Sequence, residues 1–138
     1  MDEHHEFAAA IADLREDVPA VRRVIVASVD GLPVYDEIGD HEAARFSALG
    51  AAVLGLGQRA VSMVEGESFQ EAVLQGTEGS LVVYAAGDRL VLVLVLDAAA
   101  NLALTHRKAR AMALRLAGPS VRRRADVSQL AEAGQRAS

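Results

Sequence analysis

One glycine-containing segment is the part of the sequence that comes nearest to a known chemical motif. Residues 55–60, GLGQRA, match the G-x-G-x-x-A pattern with which dinucleotide-binding proteins approach a pyrophosphate, and Glu78 follows near the position of a ribose-binding acid. That motif acts at the turn between a β-strand and a crossover helix. Here residues 51–54 continue a helical pattern, and too few residues follow for the crossover. We therefore interpret the segment as part of a helix and expect no cofactor.

The other polar residues that could do chemistry form no catalytic constellation. The four histidines are scattered, and no H-E-x-x-H pairing brings two of them to one helix face. Asp36, Glu37 and Asp40 could act as acids or bases, but turn and helix-cap chemistry explains them equally well. The chain has no cysteine, and no serine lies in a G-x-S-x-G context. We therefore predict no catalytic residue and no metal site, and expect that the protein is not an enzyme.

Charge is divided between the two ends of the chain. Residues 1–17 carry six acids and one arginine, whereas residues 101–125 carry seven bases and no acid, within a net charge of −5. Two neighbouring helices that neutralise each other would explain this division, and a basic patch for phosphate or lipid is the alternative. Arg122–Arg124 on a net acidic chain with few aromatic residues make a poor nucleic-acid footprint, so we expect no nucleic-acid partner.

The length of 138 residues favours one domain, which we place at residues 1–118, followed by a basic and then weakly helical tail at 119–138. The longest uncharged stretch, residues 46–58, is shorter than the roughly 18–20 residues of a membrane-spanning helix. The N-terminus is acidic and lacks the apolar core of a secretory signal. We therefore predict no integral membrane span and a cytoplasmic location.

The hydrophobic pattern predicts three helices and five strands. Apolar residues at helical spacing mark a helix over 7–18, a long helix over 40–64 with Asp40 as its N-cap, and a last helix from Asn101 to Gly118. The predicted strands are 21–29, 32–36, 69–75, 80–86 and 89–96. The last two strands are apolar on both faces but joined by the tight turn Gly87-Asp88. Helices must therefore cover both faces of an antiparallel sheet.

The long helix has two faces of buried type. Bulky residues, which we expect to cover the sheet, gather on one side: Phe46, Leu49, Gly50, Val53, Gly57, Ala60, Val61 and Val64. Small residues lie opposite: Ala44, Ala48, Ala51, Gly55 and Ser62. A stripe of small residues permits close approach of a second helix, most simply that of a second copy. The alternative is an alanine-rich solvent face that reflects helix propensity.

Taken together, these segments resemble the roadblock/dynein light-chain family, in particular its bacterial MglB-type members. The resemblance covers about residues 11–117 and rests on VIVASVDGLPVYD, the alanine-rich helix, FQEAVLQG, LVVYAAGDRLVLVLVLD and NLALTHRKARAMALRLA. It implies an α+β, profilin-like roadblock fold: a five-stranded antiparallel sheet with one helix on one face and two on the other. It also implies a homodimer in which the second helix and third strand of each copy meet their equivalents.

The resemblance further implies a regulator of a small Ras-like GTPase that stimulates hydrolysis or binds the GTPase without an active site of its own. The dimer interface that it implies comprises Ala44, Ala48, Ala51, Gly55, Arg59, Phe69, Glu71 and Val73. The GTPase contacts that it implies are Arg45, Ala52 and Arg59. Arg45 or Arg59 could act as an arginine finger, although a surface arginine is more often a solvated charge. The alternative function is a roadblock-type scaffold or adaptor that leaves GTP hydrolysis unchanged.

Overall fold

Five strands form one antiparallel sheet in the part of the chain that the computed structural model describes, residues 3–118. In chain order the strands are β1 (Val21–Ser28), β2 (Pro33–Asp36), β3 (Glu71–Gln75), β4 (Gly79–Ala86) and β5 (Leu90–Asp97). The order across the sheet is β2-β1-β5-β4-β3, so β5 is central and β2 and β3 are the edges. The predicted tail at 119–138 lies outside the described residues.

Three helices cover the two faces of the sheet: α1 (Glu3–Asp17), α2 (Glu42–Ser62) and α3 (Leu102–Ala117). α1 and α3 pack on the face formed by residues such as Val24, Tyr84 and Leu94. α2 packs on the opposite face, over residues such as Ile25 and Val93. The arrangement of one helix on one face and two on the other confirms the predicted fold class. No helix among the described residues is long and apolar enough to cross a membrane.

The charge division between the two ends is explained by the packing of α1 against α3. Arg115 Nη1 lies 2.8 Å from Asp13 Oδ2, and Lys108 Nζ lies 3.4 Å from Asp17 Oδ2. The order of these pairs shows that the two helices run antiparallel. Mutual neutralisation of neighbouring helices is therefore the correct interpretation for these bases, whereas Arg122–Arg124 lie outside the described residues.

The orientation of α2 agrees with the prediction only in part, since Phe46, Gly50 and Val53 lie against the sheet as expected. Ala43, Ser47, Gly50 and Leu54 are its buried residues, whereas Leu49, Ala60 and Val64, which we expected against the sheet, are exposed. The reason is the closeness of the helix to β5: a Cβ added to Gly50 would lie 2.4 Å from Val93 Cγ2. Small residues thus bring α2 onto its own sheet, and several of its large residues point away.

Two element ends also differ from the prediction. The N-cap of α2 is His41, one residue after Asp40, and it makes no side-chain cap hydrogen bond. The Asp40 carboxylate still accepts a hydrogen bond from the Glu42 N–H at 3.1 Å, so it acts on the first turn from one position further back. Strand β3 begins at Glu71 rather than at Phe69, because the Phe69 ring packs against α2 at Gly57 instead of joining the sheet.

Ser47 offers a stability prediction. Its Oγ is fully buried beneath α2 and has no hydrogen-bond partner among the described residues. A buried hydroxyl without a partner costs roughly 1–3 kcal/mol relative to an apolar group, and alanine has a higher helix propensity than serine. We therefore expect Ser47→Ala to leave the free energy of unfolding unchanged or to raise it by about 1 kcal/mol, measured by urea denaturation. Ser62→Ala is the control, because its Oγ donates to the Arg59 carbonyl at 2.7 Å in an exposed position; a clear loss in Ser47→Ala would contradict the prediction.

Candidate interaction surface

The outer edge of β3 is an open strand edge. β3 pairs with β4 on one side and is the last strand of the sheet. Val73 and Leu74 are both exposed on it. An unpaired row of backbone N–H and C=O groups with apolar side chains is a template for pairing with another strand. The predicted edge position of this strand is confirmed.

A row of large apolar side chains runs along the exposed side of α2. Leu49, Leu56 and Met63 are 57%, 72% and 87% exposed. They are spaced seven residues apart, and a spacing of seven keeps side chains within about 20° per step on one helix face. We call these three residues the α2 row. This row was not predicted, since Leu49 was expected against the sheet and Leu56 and Met63 on neither face. The spacing of seven residues is the sequence signal that indicates the row.

The α2 row and the β3 edge share one side of the sheet. Leu74 pairs with Leu81, which packs in the apolar cluster under α2, so Leu74 points to the α2 side. The Phe69 ring connects the two elements through its contact with Gly57. The row and Leu74 are thus exposed on the same side of the domain, which we call the α2 surface.

The small-residue stripe is divided between this chain and solvent. Ala44, Gly55 and Ser62 are exposed, and a Cβ on Gly55 would meet nothing within 4 Å. Ala48 is also exposed and Ala51 is half-buried. Both lie beside the β1–β2 turn, because a Cβ on Gly31 would be 3.4 Å from Ala48 Cα and 3.8 Å from Ala51 Cβ. Part of the stripe that we expected to receive a partner helix therefore accommodates the chain's own hairpin.

The remaining predicted interface residues lie in different environments. Arg59 and Ala52 are exposed on α2. Arg45 is also exposed, and its Nη1 lies 3.2 Å from Glu42 Oε1. Phe69 is half-buried in this chain's own core. Glu71 points to the α3 side, where its carboxylate pairs with Arg110 and lies 3.4 Å from His106 Nδ1.

Two polar clusters hold the elements that carry this surface. At the start of α2, Arg23 Nη2 lies 2.7 Å from both Asp36 Oδ2 and Asp40 Oδ1, and its guanidinium stacks over the Phe46 ring. The hydrogen bond from Arg23 lowers the pKa of Asp40, while the hydrogen bond to Asp36 raises the pKa of Arg23. The carboxylates of Asp36 and Asp40 therefore hold the start of α2 in place. This agrees with their interpretation as turn and helix-cap residues.

The second cluster lies under β3. Tyr84 Oη and His106 Nδ1 are 2.7 Å apart, with Glu71 beside them. Burial is the main cause that raises the pKa of Tyr84, so its hydroxyl stays protonated at neutral pH. These contacts attach the edge strand to α3. The GLGQRA segment lies wholly within α2, as predicted, and no group of three or more potential ligands for a metal occurs among the described residues.

A five-stranded antiparallel sheet between one helix and a helix pair defines an α+β domain of the roadblock type. A sequence model of the Roadblock/LC7 domain matches residues 8–96. Since this match covers more than half of the chain, the chain belongs to the Roadblock/LC7 family, which confirms the resemblance drawn from its segments.

Solved structures of MglB share this fold. The chain is 21% identical to an MglB with a tetrameric arrangement, with a TM-score of 0.74 over 85% of this chain and 89% of that chain. The gliding protein MglB from Thermus thermophilus is 20% identical, with a TM-score of 0.72 over 85% and 90%. Myxococcus xanthus MglB is 18% identical, with a TM-score of 0.71 over 84% and 95%. No curated protein matched the sequence.

Proposed function

We propose that this chain is a homodimeric regulator of a small Ras-like GTPase in the bacterial cytoplasm and acts by binding rather than through its own active site. The observation that carries the proposal is the exposed apolar surface formed by the α2 row and the open β3 edge on a Roadblock/LC7 domain. A soluble monomer rarely leaves such a surface uncovered, and an open edge strand of this kind can pair with a strand of another chain.

The position of α2 relative to the β3 edge supports a dimer. A two-fold axis beside β3 pairs the two copies of this strand antiparallel and extends the sheet across both chains. Because α2 contacts the segment before β3 through Gly57 and Phe69, the second half of each α2 lies near the axis. Leu56 and Met63 then become covered, with Gly55, Arg59 and Leu74 beside them. Val73 pairs with Val82 and so lies on the α1–α3 side of the same strand edge.

The first half of α2 would lie farther from that axis and remain open to another protein. Arg45, Leu49 and Ala52 lie on this part of the helix and are exposed. Here we place the GTPase, with Arg59 at the border between the two contacts. A regulator of this kind has only to favour the hydrolysis-competent conformation of a GTPase that supplies its own phosphate-binding groups.

The proposal is tested by single-turnover GTP hydrolysis with the small Ras-like GTPases of the same organism. We expect this chain to accelerate hydrolysis, and Ala52→Arg to abolish both the acceleration and the binding. Arg45→Ala and Arg59→Ala test for an arginine finger, which contributes about 10³–10⁵ in kcat where one is used. Arg45 already pairs with Glu42, and Arg59 lies in the last turn of α2. We therefore expect each variant to reduce the stimulated rate of GTP hydrolysis by less than about tenfold.

The matched control is Glu78→Arg, which places the same side chain at an exposed position outside the α2 face and should hydrolyse GTP as the wild type does. Binding with an unchanged hydrolysis rate would show an adaptor rather than an activator. The absence of binding to any small GTPase would contradict the proposal.

A further inference from the structure

The side of the domain opposite α2 carries an open groove between α1 and α3. It has a volume of about 390 Å³. Its floor is apolar and consists of Ala10, Leu14, Ala111 and Met112. Its α1 rim is acidic and consists of Asp13, Glu16 and Asp17. A groove with this lining fits a segment that is basic at one end and carries small apolar side chains at helical spacing.

The α3 rim does not neutralise the α1 rim completely. Arg115 pairs with Asp13 and Lys108 pairs with Asp17, which leaves three acids against two bases around the groove. The side chains of Asp13 and Asp17 are 65% and 47% exposed, so each carboxylate can accept a second cationic partner. Glu16 is exposed and makes no ion pair among the described residues.

We propose that residues 122–133 of the same chain occupy this groove. The segment carries three bases at its start, Arg122–Arg124, against two acids, Asp126 and Glu132, and its basic start matches the acidic rim. Val127, Leu130 and Ala131 follow at a spacing that would place them together over the floor. In this arrangement the tail of the chain is a third element on the α1–α3 side and leaves the α2 surface free for partners.

The chain has the reach to make this contact. α3 ends at Ala117, and Arg115, two residues before its end, already lines the groove. Gly118 has a φ of +85°, which ends the helix and turns the chain. Residues 119–121 are then a connection of the length common between packed helices, roughly 2–8 residues. A four-residue span from Gly118 to Arg122 covers up to about 13 Å.

Because the segment is tethered to α3, a weak contact is enough to keep it in the groove. Surface ion pairs contribute little individually, and much of the groove floor is already buried by α1 and α3. A short connection, however, holds the segment at an effective concentration in the millimolar range. The contact should therefore form at low salt and weaken at high salt, because the Debye length falls from about 10 Å at 0.1 M to about 3 Å at 1 M.

The experiment uses the full chain and the fact that it contains no cysteine. A nitroxide is attached to Ser128→Cys, and paramagnetic broadening of the amide signals is measured by NMR on ¹⁵N-labelled protein at 0.05 M salt. We expect the signals of Asp13, Glu16 and Ala111 to lose most of their intensity, and those of Leu49 and Leu56 on α2 to keep it. The groove signals should recover at least half of the lost intensity at 1 M salt.

Charge reversal supplies the matched controls. Arg122→Glu, Arg123→Glu and Arg124→Glu together, in the labelled chain, should restore the groove signals, whereas Arg136→Glu, outside the proposed segment, should leave them broadened. Unbroadened groove signals in the labelled wild type would overturn the proposal. So would broadening that also arises when nitroxide and ¹⁵N are on different molecules, since the occupant would then be the tail of another copy.

Discussion

Gly50→Ala is expected to lower the free energy of unfolding by about 1–2 kcal/mol, although alanine is the better helix former. The added Cβ would lie 2.4 Å from Val93 Cγ2, on a fully buried side chain of the central strand β5. Overpacking of this kind costs about 1–3 kcal/mol and occasionally more. The gain from replacing a helical glycine is only about 1 kcal/mol. α2 must therefore move away from the sheet, and the whole face that it covers loosens.

Gly55→Ala is the matched control, because it makes the same change five residues later in the same helix. A Cβ there meets nothing within 4 Å, so only the helix-propensity gain of about 0.5–1 kcal/mol applies. Because Gly55 lies beside the proposed dimer contact, urea denaturation of both variants is measured at a protein concentration low enough for the chain to be a monomer, so that association does not contribute. Opposite signs for the two variants are expected; equal effects would mean that α2 does not lie as close to β5 as the structure places it.

Leu56→Asp is expected to weaken self-association at least 100-fold, which corresponds to about 2.7 kcal/mol. Leu56 is 72% exposed in the single chain, so the change should cost the fold little. In the proposed dimer each copy buries its own Leu56 near the two-fold axis. One substitution then removes two apolar contacts, each worth about 1.5–3 kcal/mol, and puts two carboxylates in their place.

Gln58→Asp is the control for Leu56→Asp, since it introduces the same side chain two residues further along, at an exposed position of α2 away from the α2 row. Sedimentation equilibrium measures the dissociation constant, and thermal unfolding confirms that both variants are folded. A wild-type mass equal to 14.5 kDa at tens of micromolar would contradict the dimer itself. An unchanged dimer in Leu56→Asp would mean that the chains associate through another surface.

The elements with strong contrast between apolar and polar positions were predictable from the sequence. In α1 the residues Phe7, Ala10, Ile11, Leu14 and Val18 were expected on one stripe, and all five are buried. The apolar runs of β4 and β5 required cover on both faces, and α1, α2 and α3 supply it. Where polar residues leave only one face that can be buried, periodicity alone fixes the orientation.

The inner face of α2 was harder to predict, because almost every turn of this helix has small or apolar residues on all sides. A helix wheel then gives no unique inner face, and size misled the assignment: large Leu49, expected on the inner face, points outward, while small Ser47, which was assigned to neither face, points inward. The deciding contact is with Val93, which lies more than forty residues away in sequence. Likewise, the Arg23 link to Asp36 and Asp40 depends on the register of β1 and β2, which the residue types do not specify.

Local patterns of polarity and turn chemistry predicted the α+β class, the order of the elements and the coverage of both sheet faces, and the segments as a whole resembled the roadblock family. The folded chain was needed to find which residues of α2 are exposed, that Gly31 lies against part of the small-residue stripe, and that a groove with an acidic rim opens between α1 and α3. The physical reason is packing: how closely a helix approaches a sheet depends on the shapes of both, and one of the two is always distant along the chain.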